Sequence, residues 1–482
     1  MSFTVANVEK RQPRVAAVRT IIADVLRYSR MSLSKRFGRP KEEVFATIPH
    51  PSGIGSLVCG RRANSQIWSL AQDILSESEW KRRLEVGIVQ RELREALGRR
   101  FLKGNTPIDV KNVNAFLSEV LAAAATTCKT LTHFIPCHLS SDAEPSKFEI
   151  GPVCFQPTAS FLEEHQANFE RYVLQGSADL VEIGKKCAQQ RDLNEPLKHA
   201  IKHYEALATG ARAWFSQFGW VAAVTIHRCD AATSRTRAER ATETALNILR
   251  LMLGTSYGDR IRMDNHPMRP TRSASLTQNE QGQLDVTLHW VSPAGQLGGD
   301  WWKIINAGDN TVRIATAGRL INTITLLEPY RPLCERLIDA LEWFGRGVAG
   351  TIPGARVVDY VTAIERVTLC PDERPTRTIS TRACILCSHD AYTLDEAERR
   401  KIKHLYKLRS GLVHGSLSPF EPEMESAAYN AEKVAATTIM RAIDLYKTIG
   451  AFSDNANLDT LKAAYEHIES VARKKASSAG NR

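Results

Sequence analysis

The amino-acid sequence predicts an α+β N-terminal region joined to an all-α antiparallel helical bundle. Three features lead there. Segments with strand-like composition are confined to the part of the chain before Arg319. Beyond it, apolar residues recur at helical spacing in six blocks: 330–346, 354–369, 377–388, 395–414, 424–449 and 456–475. The links between those blocks are short and carry Gly, Pro and Asp, as expected between antiparallel neighbours.

Taken in order, residues 1–127 read as mainly helical. A helix is expected over Val15–Tyr28, and the Gly/Pro-rich stretch Pro49–Gly60 reads as a loop. Ile67, Leu70 and Ile74 keep one helical face apolar, and Trp80–Leu102 is charged and helical. Residues 128–320 form an α+β region. Leu131–Leu139 and Phe148–Phe155 are rich in β-formers and are split by the turn-like SSDAEPSK. A long helical stretch runs from Pro157 to about Gln217. Trp220–Arg228 reads as a buried strand, and Thr236–Leu253 as an amphipathic helix. QLDVTLHWV and NTVRIAT then read as strands. Residues 330–475 are the bundle, and 476–482 a frayed, flexible tail.

The chain has 482 residues, a net charge of +11 and a pI near 9.2. An excess of this size fits an acidic partner such as nucleic acid, and fits plain solubility equally well. No apolar run approaches bilayer length, and the first residues lack a secretory pattern. Ten cysteines without framework spacing suit a reducing compartment. The expectation is a cytoplasmic protein with no membrane partner.

The most informative segment is the helix that begins near Asp395. Ile402, Leu405, Leu408, Leu412 and Val413 fall on one stripe, and Arg409 falls inside it, between Ile402 and Leu405. A charge there is costly unless it is paired, at an interface or facing a cleft. His414 lies about 140° away on the wheel, beside Lys403 and Lys407. Gly415 follows as a helix stop. The two side chains therefore share a site only if the helix end unwinds or a second copy of the chain contributes. The basic run Arg399, Arg400, Lys401, Lys403, Lys407 reads either as a solvated face or as a phosphate-binding surface. On the upstream helix Glu365 falls between Val361 and Val358, so a Glu365–Arg409 ion pair is expected. It could fix the bundle or orient the arginine.

Arg409-Ser-Gly-Leu-Val-His414 is an R-x4-H element at a helix end. With Tyr406, Leu408, Ser410, Val413 and Gly415, and with VDYVTAIERV and ISTRACILC upstream, residues 330–475 resemble the HEPN superfamily, in the branch whose motif reads LYxLRSxxVHG. The resemblance implies a metal-independent endoribonuclease that works as a homodimer, cleaves single-stranded RNA or tRNA, and serves as a regulated toxin or antiviral-defence effector. It implies Arg409 and His414 as the catalytic pair, Glu365, Ser410 and Tyr406 in support, and no cofactor or metal. Lys403, Lys407 and Arg400 would lie along the RNA. The chemistry suits these residue types: histidine moves protons near neutral pH, and arginine clamps a phosphate as charge builds in the transition state. Ser410 stands where the wider superfamily often has Asn, Asp or His. That keeps a second reading open, a non-catalytic RNA- or nucleotide-binding module.

Other signals are weaker. Cys384-x2-Cys387 with His389 has the form of half a zinc site but lacks a second pair. Cys128, His133, Cys137 and His138 read as core or loop residues. GQLGGD (Gly295–Asp300) lacks the Lys-Ser/Thr of a phosphate loop and reads as a turn, with Trp301 and Trp302 as core and cap. Arg235, Arg237 and Arg240 open a helix, where an exposed basic face is the simpler reading than an anion site.

Overall fold

The computed structural model describes residues 11–31, 44–50, 52, 54–139, 145–187, 194–263, 272–278, 284–290, 301–326, 331–388 and 392–479. His389 and the Gly295–Asp300 turn lie outside the described residues, as does most of SSDAEPSK. The chain forms two compact units. The first holds residues 1–131 with 226–237, the second 132–225 with 238–482. The inclusion of 226–237 is a long-range association that local pattern does not reveal.

In the first unit, α1 (Arg11–Ser29), α2 (Arg61–Ser76), α3 (Val86–Leu97) and α4 (Val110–Ala125) enclose one core. Ile67, Leu70 and Ile74 are buried in it, as their spacing predicts. A π-helical turn, Gly98–Lys103, follows α3. The expected loop at Pro49–Gly60 contains a whole strand: β1 (Val44–Pro49) pairs antiparallel with β2 (Ser56–Gly60). Gly55, with φ +80°, lies just before β2, and Cys59 and Ile48 face the core. Asp230 joins this unit. Its carboxylate accepts from the backbone N–H of Glu85 at 2.9 Å and of Ala232 and Thr233 at 3.0 Å. It thereby caps the following helix.

Five strands, with most of their residues in the second unit, lie in the order β4 (Phe148–Ile150), β5 (Val153–Pro157), β6 (Trp220–Cys229), β3 (Lys129–His138), β7 (Arg262–Met263). The β4–β5, β5–β6 and β3–β7 pairs are antiparallel. Trp220, Val221, Ala222 and Val224 are all buried, the signature of a strand covered on both faces. Helices α5 (Thr158–Glu164), α6 (Gln166–Cys187) and α7 (Asn194–Phe215) separate β5 from β6, and α8 (Ala231–Leu253) and the short α9 (Thr255–Gly258) precede β7. Strands β8 (Arg272–Gln278) and β9 (Leu284–Trp290) form an antiparallel ribbon. Trp301 and Trp302 open α10 (Trp301–Ile305) and pack their rings on Phe148, centroids 5.7 and 4.3 Å away.

NTVRIAT is not a strand. It lies in α11 (Asp309–Thr325), whose buried residues Ile314, Ala317, Leu320, Ile321 and Ile324 follow the helical repeat. Over seven residues, Val312, Ile314 and Thr316 mimic strand alternation; the longer window decides. Midway along α11, Gly318 meets Gly151 of the β4–β5 turn backbone to backbone. A Cβ at Gly151, where φ is +57°, would lie 2.2 Å from the Gly318 carbonyl oxygen, and one at Gly318 2.6 Å from the Gly151 nitrogen.

The six expected helices are α12 (Pro332–Ala349), α13 (Pro353–Thr368), α14 (Pro375–Cys387), α15 (Glu396–Val413), α16 (Met424–Thr448) and α17 (Leu458–Ala479). Pro at the first position starts α12, α13 and α14, where its missing N–H costs nothing. α17 runs through Ala479, so most of the expected frayed tail is helical. Arg382 of α14 is buried. It binds both oxygens of Glu373 at 2.7 Å, Glu469 of α17 at 2.9 Å and the Thr368 carbonyl at 2.7 Å, tying three helices together. No helix among the described residues is long and apolar enough to cross a membrane.

Candidate functional site

α15 is organised at both ends. Asp395 caps its start, its carboxylate accepting from the N–H of Ala397 at 2.8 Å and of Glu398 at 3.4 Å. At its end Ser416 N–H donates to the Gly411 carbonyl at 2.9 Å and Gly415 N–H to that of Leu412 at 3.3 Å. This is a Schellman cap, with Gly415 at φ +74°. The helix end is therefore closed. The unwinding that would let one chain's Arg409 and His414 share a site does not occur.

Of the stripe residues, Ile402, Leu405 and Leu408 are buried. Arg409 sits at its edge, 3.2 Å from Glu365 of α13, with side chains 23% and 20% exposed. The expected ion pair forms. A pair this accessible contributes on the order of 1 kcal/mol or less. The Arg409 Nε is buried without a hydrogen-bond partner among the described residues. Tyr406 lies nearby. Burial and then the charge of Glu365 push its hydroxyl above the usual tyrosine range, against the pull of Arg409. Ser410 is half-buried, its carbonyl accepting from His414 N–H at 3.0 Å. His414 is the exposed cap residue.

Arg400, Lys403 and Lys407 are exposed and share a helical face with His414. Arg399 and Lys401 are taken up by Glu396 and Glu398 at 2.7 and 3.2 Å, so these two belong to the solvated face. Val413, one turn beyond Arg409, ends the apolar stripe and is 51% exposed; Phe420, in the loop beyond the cap, is 72% exposed.

The other signals resolve simply. Cys384 is buried and donates to the Asp395 carbonyl at 3.2 Å, and Cys387 faces Thr438 at 3.4 Å. Burial raises both thiols, Cys387 to about 11. Among the described residues no group of three or more His, Cys, Asp or Glu could hold a metal ion. Arg237 donates to the Arg82 carbonyl at 2.8 Å and Arg240 pairs with Glu335 at 2.9 Å, which leaves the anion-site reading without support. His138 and Cys137 are buried. Comparison with protein-family models, curated proteins and solved structures finds no match.

Proposed function

We propose that this chain is a HEPN-type endoribonuclease whose site is completed by a second copy. The observation that carries the reading is the uncovered end of the α15 stripe. The apolar row that holds Arg409 runs out to an exposed Val413, beside a rigidly capped His414 that faces another way. Two α15 helices laid together by a two-fold axis would cover Val413 and bring the Arg409 of each chain toward the His414 of the other. The row Arg400, Lys403, Lys407 would carry the RNA backbone into that groove. His414 would move protons between the 2′-OH and the leaving 5′-oxygen, and Arg409, released from Glu365, would hold the phosphate. In the lone chain Arg409 is engaged by Glu365, which makes the monomer a resting form suited to a regulated toxin or defence effector in the cytoplasm.

A second reading has its own observation. The Arg409–Glu365 pair and the outward His414 also fit a bundle in which these residues are structural, or one that binds RNA without cutting it. The test is cleavage of labelled single-stranded RNA and tRNA in EDTA. Arg409→Ala and His414→Ala should each lower the rate by about 10²–10⁴-fold with folding intact. Cleavage indifferent to both substitutions sinks the assignment, and RNA binding without cleavage favours the non-catalytic reading.

A further inference from the structure

We propose that the α+β part of the second unit holds a binding pocket for a nucleobase, independent of the Arg409 site. The pocket lies between the first half of β3 and helices α5, α6 and α7. It has a volume of about 550 Å³ and is lined by Phe134, Phe161, Phe169, Tyr172, Phe215 and His165. That volume is in the range of small-molecule sites, roughly 300–1,000 Å³. Four of the rings, Phe134, Phe161, His165 and Phe215, form one connected array. Phe161 stacks on Phe215 at 5.4 Å, and His165 meets Phe134 edge-on at 4.8 Å and Phe161 at 4.5 Å.

The local sequence makes the space. On α7, Ala208 and Ala211 stand between Leu207 and Phe215 on the pocket face, so small side chains leave room where a large one would fill it. On α6, Asn168, Phe169 and Tyr172 recur at helical spacing along the same wall. Tyr172 and Leu207 remain 44% and 46% exposed, so apolar surface at the mouth stays in contact with water.

The polar groups select the occupant. The Nδ1 of His165 is buried without a hydrogen-bond partner among the described residues. Asn168 is exposed at the mouth and offers one donor and one acceptor face, the complement of a base edge. The guanidinium of Arg212 lies 5.9 Å from the centroid of the Phe169 ring, a cation at the rim where a phosphate would emerge. A fatty acid would use the rings and could pair its carboxylate with Arg212, but it would leave the donor and acceptor of Asn168 unused. A planar heteroaromatic base with a phosphate uses all of them, and stacking on aromatic faces contributes about 1–3 kcal/mol per base.

The base could belong to a free nucleotide or to a strand of RNA, and the experiment separates them. Full-length protein is titrated calorimetrically with AMP, GMP, CMP and UMP, and with ten-residue homopolymers of each base. At least one base is expected to bind. Ala211→Trp, which fills the pocket, should weaken binding at least tenfold; Tyr172→Ala, which opens it, should weaken it several-fold without any filling. A mononucleotide that displaces the oligomer identifies the free ligand; an oligomer that resists displacement identifies the strand. Absence of binding by all eight probes to folded protein overturns the proposal. So does binding that Ala211→Trp leaves unchanged, or a self-association that Ala211→Trp abolishes in place of nucleotide binding. None of these readouts uses RNA cleavage, so failure here is distinct from failure at Arg409.

Discussion

Arg409 separates a structural role from a chemical one because the two predict different sizes of effect. Its pair with Glu365 is accessible enough to contribute on the order of 1 kcal/mol or less. Arg409→Ala should therefore move the urea midpoint only slightly while abolishing RNA cleavage; a large stability loss with unchanged activity would reverse the roles. His138 gives a pH prediction of another kind. Burial, and then Arg262, lower its pKa to about 4 from the ordinary 6.5. The unfolded chain binds a proton there between about pH 6.5 and 4 that the folded chain does not. Its contribution to stability is full above pH 6.5 and is lost as pH falls toward 4, amounting to about 3 kcal/mol at most. His138→Phe, which keeps a ring against Phe218, should flatten the stability profile in that window, measured by urea unfolding at pH 5 and pH 7. Arg409 was legible because a charge in an apolar stripe is an anomaly of local spacing. The pairing of His138 with Arg262 was not, since it joins strands far apart in the chain.

At the scale of elements, the bundle helices are readable to within about four residues at each end because their signals are local. Pro332, Pro353 and Pro375 start helices, Gly415 ends one, and the apolar rows between are long. Gly/Pro content hides the strand that ends at Gly60, and in NTVRIAT a short window carries the wrong period. The Arg382 cluster could not be foreseen at all, because Glu373 and Glu469 meet it only through the fold. Removing one partner of such a buried ion pair costs about 3–5 kcal/mol. Arg382→Met should accordingly lower the unfolding midpoint far more than Arg409→Ala does. A comparable midpoint for the two variants would contradict the burial described for Arg382. The α15 cap makes a milder test. Gly415→Ala forces a Cβ into a left-handed residue and should cost about 1 kcal/mol, with a larger effect on cleavage than on folding if His414 must be held still.

For the molecule as a whole, the decisive quantity is the number of copies. The proposed site requires two chains, with Val413 and Phe420 as apolar surface to be covered. Val413→Glu should keep the protein monomeric in sedimentation at concentrations where the wild type associates, and should silence cleavage even with Arg409 and His414 intact. Mixing Arg409→Ala with His414→Ala gives a complementary result. Each mixed dimer would carry one complete site, so about a quarter of the wild-type activity should return under random pairing. No return would place both residues of a site in the same chain.

The contact between Gly151 and Gly318 bears on how this protein can change over time. Each position is closed by the main chain of the other, so enlarging either one gains nothing from trimming its neighbour, which has nothing left to trim. Compensating pairs, the usual route by which cores drift, are not open to these two sites. A saturation scan of single and double variants should find both positions intolerant and no rescuing combination between them, a fixed point around which the rest of the sequence is free to diverge.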